Sequence, residues 1–381
     1  MRASLQLSIK LFAIAVFSAG LLVPAVMTWQ EPTGESWENR ALATAPALPS
    51  SLAGLWALPA AVDDYVLDHF GFRKDLLRTH NRWLIRFGVS PSDKVVLGQN
   101  DWLFYEANRL TDQNRGAMPL SQEQLSYYLR QFGARREYMK ERGIPYVVLP
   151  VPDKHSVYQE QLPAWLRRAG PSRLQQFQGA LDAAGEPYVE TYKELSAARD
   201  RGERVYLKTD SHWSCRGAFL AYQRLMDAVV PMGLDGVHRV TEQEVEFREM
   251  ARMRGQDLSK NLLLLPDELP ETGGVRCKLL EQRAVESVDL RNGRLFERPY
   301  QAHQQHLHWR YTNTGYKPRS RVLLYRDSYA QALIPYLINS FDELIVVPRK
   351  EMSFDVSLLE RYQPDLVIYE FVERALLWAP D

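Results

Sequence analysis

RVLLYRDSY, the stretch at residues 321–329, decides the fold that the sequence predicts. Its apolar first half is typical of a strand that is covered on both faces of a sheet. The apolar run ends at Arg326, and a turn that carries Ser328 leads into a helical pattern. A strand that passes directly into a helix is the repeating unit of a parallel α/β sheet.

The same alternation continues on both sides of this stretch. The predicted strands are 145–151, 188–189, 321–325, 343–347 and 365–369. The predicted helices are 121–142, 172–184, 214–230, 329–339 and 356–362. We therefore expect a three-layer α/β/α domain around a central, mostly parallel sheet. The polar segment 235–318 breaks the rhythm and is interpreted as an irregular insertion or lid.

The composition limits the possible partners and scaffolds. The 381 residues carry 47 Lys plus Arg and 47 Asp plus Glu, so the formal net charge is zero. Binding to phosphates needs a basic excess, and we expect no nucleic-acid partner. Two cysteines, Cys215 and Cys277, are too few for a disulfide-rich scaffold or a four-cysteine zinc site. One bridge between them and two buried thiols are both possible, and unpaired thiols are favoured.

The N-terminus predicts export. Residues 11–27 are largely apolar, and Arg2 and Lys10 precede them. This basic flank favours an N-terminus in the cytoplasm and the rest of the chain outside it. An uncleaved signal anchor over 1–29 is preferred to a cleaved signal peptide. We expect a periplasmic protein held at the inner membrane, with a linker at 30–60 and one domain at 61–381.

The polar turns beyond the strands form the candidate active site. Ligands of parallel sheets bind beyond the carboxyl ends of the strands, where we expect three turns to gather: 152–155, 209–213 and 326–329. Ser328 would be the nucleophile, His212 its base and Asp210 the group that orients His212. Because Ser328 opens a predicted helix, its own N–H and that of Tyr329 could stabilise an oxyanion. A plain helix cap and a hydrogen-bonded loop are the structural alternatives.

Several stretches together resemble one family, the AlgJ/AlgX group of polysaccharide O-acetyltransferases. The most specific are DSHW at 210–213 and GQNDWLFY at 98–105. The others are ENR at 38–40, PDK at 152–154, GQDL at 255–258, RDSY at 326–329 and EFVER at 370–374. The resemblance implies an SGNH-hydrolase-like α/β fold and an envelope enzyme that acetylates a secreted polysaccharide such as alginate through an acetyl-serine. It also implies a membrane-bound O-acyltransferase partner that delivers the acetyl group, and no cofactor.

The family's catalytic residues correspond to Asp210, His212 and Ser328. Arg326 stands where the usual serine motif has glycine, and it could contact a uronate or a sugar oxygen. Tyr329 and Lys154 are also assigned to substrate binding. For Lys154 the favoured alternative is that it closes a strand-end loop by hydrogen bonds, and Arg326 could instead pair with a nearby carboxylate.

Three other functions remain open from sequence. An acetyl esterase would use the same triad with water as the acceptor. A non-catalytic polysaccharide-binding or assembly protein would have an unreactive Ser328. A metal site could form from the nearby histidines at 303, 306 and 308 or from Asp210 and His212, but solvated loop histidines are favoured, so no metal is expected.

Overall fold

The computed structural model describes residues 2–28, 42–295, 308–314, 319–349 and 352–377. It divides into two compact units. We call Met1–Ser92 with Ser259–Glu268 the N-terminal unit, and Asp93–Leu258 with Leu269–Asp381 the sheet unit. The predicted start of the domain at 61 falls inside the N-terminal unit.

The N-terminal unit is built from helices α1 (Arg2–Thr28), α2 (Leu52–His69) and α3 (Arg73–Arg86). The side chain of Ser51 accepts a hydrogen bond from the backbone of Gly54 and caps α2, so the end of the predicted linker is helical instead. Residues 29–41, which include the ENR stretch, lie outside the described residues. None of the described helices is both long and apolar enough to cross a membrane.

The described residues of the sheet unit form ten strands. They are β1 (Val95–Leu97), β2 (Leu103–Tyr105), β3 (Tyr146–Val151), β4 (Val245–Met253), β5 (Glu271–Leu279), β6 (Val285–Asp289), β7 (Trp309–Asn313), β8 (Arg321–Arg326), β9 (Glu343–Pro348) and β10 (Leu366–Val372). Six form the central sheet in the order β3-β10-β8-β9-β7-β6. The first four of these pair in parallel, and β7 and β6 add antiparallel pairs at one edge. The α/β fold is therefore confirmed, with a mixed sheet.

Helices cover both faces of this sheet. They are α4 (Leu110–Asn114), α5 (Gln122–Lys140), α6 (Lys154–Val157), α7 (Arg173–Ala184), α8 (Tyr192–Asp200), α9 (Cys215–Val229), α10 (Ile334–Ser340) and α11 (Ser357–Tyr362). Successive residues of β8 point to opposite faces: Val322 and Leu324 join the core cluster that contains much of α9, whereas Leu323 joins the cluster that contains residues of α5 and α7. Both faces are thus buried, which explains the continuous apolar run.

Two sequence predictions about this unit are wrong. Segment 235–318 is not irregular where it is described, because it supplies the β4–β5 hairpin and the edge strands β6 and β7. Strands β4 and β5 mix a few buried residues with half-buried and exposed ones, so they carry no long apolar run. Residues 188–189 form no strand, although the Val189 N–H donates one hydrogen bond to the Val148 carbonyl, 2.9 Å away.

The two cysteines are bonded to each other, contrary to the favoured expectation of free thiols. The bridge joins Cys215, the first residue of α9, to Cys277 on β5, across 62 residues of sequence. Because Cys215 follows His212 by three residues, the cross-link ties down the end of the Asp-His loop. A cross-link of this span also restricts the unfolded chain, which stabilises the folded state.

Candidate active site

The structure brings Asp210, His212 and Ser328 together. Ser328 follows β8, and the other two lie in the loop that leads to α9. His212 Nε2 is 2.8 Å from Ser328 Oγ, and His212 Nδ1 is 2.7 Å from Asp210 Oδ1. These are hydrogen-bond distances in the order of a Ser-His-Asp site. They hold the imidazole with its Nδ1–H toward the carboxylate and Nε2 ready to accept from the serine.

The electrostatics of the three groups suit a general base. Burial lowers the pKa of His212, but the hydrogen bond and charge of Asp210, with the charge of Asp257, outweigh burial, and the pKa is raised. Burial works against ionisation of Asp210, yet the hydrogen bond and charge of His212 leave its pKa lowered. Ser328 is half-buried, so a substrate can reach its hydroxyl.

Two buried charged residues hold the backbone of the Asp-His loop, one through its carbonyls and the other through its N–H groups. Lys154 Nζ donates hydrogen bonds to the carbonyls of Leu207, Lys208 and Asp210. Glu271 accepts hydrogen bonds from the backbone N–H groups of Lys208 and Thr209, 2.9 and 2.8 Å away, and from the Thr209 hydroxyl. The loop therefore has its backbone donors and acceptors satisfied before any substrate binds.

We expect Lys154→Met to destabilise the sheet unit by about 2–4 kcal/mol, because three buried carbonyls lose their donor. The cost is reduced by relief of the buried charge: burial lowers the pKa of Lys154 to about 8 despite the nearby carboxylates. Urea denaturation measures the change, with the exposed Lys193→Met as the matched control. Equal midpoints for Lys154→Met and wild type would contradict the loop-holding role.

The serine turn is capped by Asp327. Its Oδ1 accepts the backbone N–H of Tyr329 at 2.9 Å, and its Oδ2 accepts the N–H of Val372 and Nη2 of Arg349. The Tyr329 N–H, which was expected to serve an oxyanion, thus donates to Asp327 in this structure, and the oxyanion role stays a prediction. Ser328 is not the cap, since Asp327 takes this role.

Tyr329 packs against the Asp-His loop, and the residue is 1% exposed. Its hydroxyl donates to the Ser211 carbonyl at 2.6 Å and accepts from Arg374 Nη2 at 2.9 Å. Arg374 also pairs with the buried carboxylate of Asp153. Trp213 Nε1 donates to the Tyr329 carbonyl at 2.9 Å, which links the serine turn to the histidine loop. These contacts position both halves of the site.

The guanidinium of Arg326 is also buried, with the residue 1% exposed. Its Nη1 donates to the Asp327 carbonyl at 3.2 Å. The negative charges of Glu370 and Asp327 favour its charged form. Burial lowers its pKa in spite of these charges. The structure thus places Arg326 beneath the serine turn rather than at the rim, and Lys154, Arg326 and Tyr329 are all buried. Their assignment to substrate binding stays a prediction, while their observed contacts are structural.

Sequence reasoning missed a second carboxylate beside the histidine. Asp257 Oδ1 accepts the Ser211 N–H at 2.7 Å, and Oδ2 lies 2.5 Å from Ser211 Oγ and 3.5 Å from His212 Nδ1. Burial and the charge of Asp210 raise the pKa of Asp257 to about 6. Asp257 lies in the GQDL stretch and Arg374 in the EFVER stretch, so the resemblance contained the signal for both.

Within the described part of the chain, the same two carboxylates and the imidazole are spaced as ligands of a metal ion would be. Ligand atoms of Asp210, His212 and Asp257 lie within 4.8 Å of one another. His212 Nδ1 and Asp210 Oδ1 already share a hydrogen bond, and both Asp257 oxygens accept from Ser211. His303 and His306 lie outside the described residues. The expectation of no metal stays a prediction.

Comparison with known proteins places the chain in a family. The family described as the SGNH hydrolase-like domain of acetyltransferase AlgX matches residues 95–303. This chain belongs to that family. The matched range of the AlgX family contains Asp210, His212 and Asp257 and ends before Ser328.

Curated relatives of this AlgX-family chain include two named probable alginate O-acetylase AlgJ. The protein from Pseudomonas aeruginosa is 33% identical over 135 residues, which cover 34% of this chain and 32% of the relative. The protein from Pseudomonas syringae pv. tomato is 27% identical over 278 residues, which cover 69% of this chain and 65% of the relative. The matches therefore span from about a third to just under two thirds of these relatives.

A solved structure supports the fold assignment. Bacillus cereus PatB1 aligns with a TM-score of 0.55 at 15% identity, covering 75% of this chain and 97% of PatB1. At this identity the similarity applies to the fold alone, which agrees with the SGNH-like mixed sheet.

Proposed function

We propose that this protein is an O-acetyltransferase that adds acetyl groups to a secreted exopolysaccharide, alginate or a similar polymer. The observation that carries the proposal is the pair of hydrogen bonds that links Ser328, His212 and Asp210. Membership of the AlgX family and the AlgJ relatives support acetyl transfer as the reaction.

In the first half-reaction Ser328 takes the acetyl group. Its Oγ attacks the acetyl carbonyl carbon of the donor ester as His212 Nε2 accepts the hydroxyl proton. Asp210 stabilises the imidazolium through Nδ1–H. The donor's C–O bond then breaks, and His212 returns the proton to the leaving oxygen. An acetyl ester on Ser328 remains.

In the second half-reaction a sugar hydroxyl replaces the serine. His212 Nε2 accepts the proton of the sugar hydroxyl as its oxygen attacks the acetyl-serine carbonyl carbon. The bond between that carbon and Ser328 Oγ breaks, and His212 protonates Oγ. Water in place of the sugar would give acetate, which is the esterase reaction.

The location and the donor complete the proposal. The basic flank at Arg2 and Lys10 supports export of the sheet unit, with an anchor at the inner membrane or release after cleavage. Outside the cytoplasm the acetyl group needs a carrier across the membrane. We propose a membrane-bound O-acyltransferase as that partner, in line with the family resemblance.

An acceptor assay tests the proposal. Purified protein is incubated with an activated acetyl ester, with and without unacetylated polysaccharide, and both polymer-bound acetyl ester and free acetate are measured. Transfer predicts acetyl esters on the polymer that grow with acceptor concentration. If acetate is the sole product, and the polymer does not change the rate of its release, the protein is an esterase rather than a transferase.

The pH dependence of activity should show the effect of the Asp257 charge on the pKa of His212. His212 must be neutral to accept a proton, so activity falls as the pH drops through its pKa. Asp210 and Asp257 raise that pKa and Arg374 lowers it. Asp257→Asn removes one negative charge, so the pKa of His212 falls and the acidic limb shifts to lower pH, by about half to one unit.

Ester turnover from pH 5 to 9 measures this shift as kcat/KM. Since the pKa of Asp257 is about 6, its charge is lost below that pH, and wild type and variant should converge there. Asp182→Asn is the control, because it removes the same charge from an exposed residue on α7, outside the candidate site. An acidic limb that does not move would show that Asp257 has no electrostatic effect on His212.

A further inference from the structure

A second pocket lies beside the β1–β2 hairpin. Its volume is about 610 Å³, within the range of roughly 300–1,000 Å³ that is usual for small-ligand sites. Its walls mix apolar and charged side chains, among them Glu106, Asn108, Arg109, Asp112, Trp165 and Leu166. Nothing in the proposed chemistry at Ser328 uses these residues.

Trp165 is an unusually exposed aromatic residue in the pocket wall. Its residue is 76% exposed, and among the described residues of the sheet unit no other aromatic side chain is classed as exposed. It lies on the short helical turn Ala164–Leu166, which follows Pro163 and is anchored by the buried Leu166. An exposed indole face at a pocket wall suits packing against the apolar face of a pyranose ring.

Other lining residues, Glu106 and Arg109, carry polar groups. Oε2 of Glu106 accepts the hydrogen bonds of Thr111, from its backbone and its hydroxyl. Oε1 is buried and has no hydrogen-bond partner in the described part of the chain. Arg109 pairs with Asp112 at 2.7 Å and remains 68% exposed at its side chain. A carboxylate oxygen and a guanidinium together can accept from and donate to ring hydroxyls.

The backbone at this wall is held in an uncommon conformation. Asn108 and Arg109, two successive residues other than glycine, have φ of 49° and 60°. Left-handed conformations of this kind cost energy and cluster at ligand sites. Gln113 fixes the turn by donating from Nε2 to the Asn108 carbonyl.

The pocket connects to the catalytic loop through adjacent residues. Glu106 follows Tyr105, the last residue of β2, whose ring centroid is 5.1 Å from Arg374 Cζ. Arg374 Nη2 in turn donates to the Ser211 carbonyl, 3.3 Å away, next to His212. These contacts join the backbone of the pocket wall to the Asp-His loop.

We propose that this pocket is a glycan subsite, in which one pyranose unit stacks on Trp165 while another unit of the same chain is presented to Ser328. The presentation of an acceptor rests on the proposed acetyl transfer, but the binding of the sugar does not. The shared chemistry is a hydroxyl-bearing pyranose, whether neutral or a uronate.

Calorimetric titration of the full chain with cellopentaose and with a mannuronate pentamer tests the binding. At least one of them should bind, and Trp165→Ala should raise its Kd by about tenfold. Trp165→Phe should retain most of the affinity because it keeps an aromatic face. Leu280→Ala, which removes an exposed apolar side chain elsewhere in the same unit, should leave Kd unchanged.

Acetyl transfer to polymer gives the second readout. Trp165→Ala should raise KM for the polymer about tenfold, with kcat and the turnover of a small acetyl ester unchanged. If wild type binds sugar in a way that depends on Trp165 but transfers no acetyl group, the proposed function is contradicted and the subsite is supported. Transfer by wild type with no binding of either oligosaccharide, or with Kd and KM unaffected by Trp165→Ala, would overturn the subsite and leave the function.

Discussion

Replacing Ser328 with alanine is expected to lower acetyl transfer by about 10⁴-fold or more, because the acetyl group then has no oxygen to which it can be attached. The fold should remain, since the hydroxyl contributes one hydrogen bond, to His212, worth about 1 kcal/mol. Asp327, which caps the turn, is untouched.

The measurement is acetyl-ester turnover and transfer to polymer, with circular dichroism to verify folding. Ser126→Ala is the matched control, since this exposed serine lies on α5. It should keep wild-type activity. Full activity in Ser328→Ala would remove the nucleophile from the mechanism, and absence of turnover in wild type as well would favour a binding or assembly role.

Replacing His212 with alanine is expected to be nearly as damaging as the loss of Ser328. Without the imidazole no group accepts the serine proton, and the Asp210 carboxylate loses the Nδ1–H that it accepts 2.7 Å away. The double variant of His212 and Ser328 should be hardly slower than either single variant, because groups of this kind act as a unit. Asp210→Ala may be compared in the same series and should retain more activity, as orienting groups do.

The four variants are compared by kcat/KM for one acetyl ester. His238→Ala is the control, since this half-exposed histidine pairs with Glu244 at 2.7 Å in the same unit. It should match wild type. Multiplicative losses in the double variant would mean that His212 and Ser328 contribute independently, against the shared proton transfer.

The parallel strands were predictable because each is a short apolar run bounded by polar turns. Strands β3, β8 and β9 begin and end within one residue of their predicted bounds. Strand β10 begins one residue later than predicted and ends three residues later. The edge strands β6 and β7 were not predictable in the same way. They alternate buried with partly exposed residues, and their pairing is set by partners distant in sequence.

Ser328 could be named from sequence because its polar turn follows the end of the parallel strand β8. Asp210 and His212 follow no strand of the sheet, and they could be named from the Asp-x-His pattern and the family resemblance. The contacts around them could not. Arg326 is charged, and charged residues are seldom fully buried unless they are paired, so sequence favoured the rim for this residue. Lys154 is the exception, because the favoured expectation was that it closes a loop by hydrogen bonds, and its three donated bonds confirm this. The burial of both residues depends on acceptors from remote segments, such as the carbonyls of 207–210 and the carboxylate of Glu370.

The acetyl-enzyme is the most direct test of the central claim that Ser328 carries the acetyl group. Wild type and Ser328→Ala are mixed with an activated acetyl ester, quenched in acid within the first turnovers, digested and analysed by mass spectrometry. We predict one added acetyl group on the peptide that contains Ser328 in wild type, its absence in the variant, and its loss when polysaccharide is added before the quench. Turnover by wild type without acetylation of Ser328 at any time, together with unchanged turnover in Ser328→Ala, would contradict the claim.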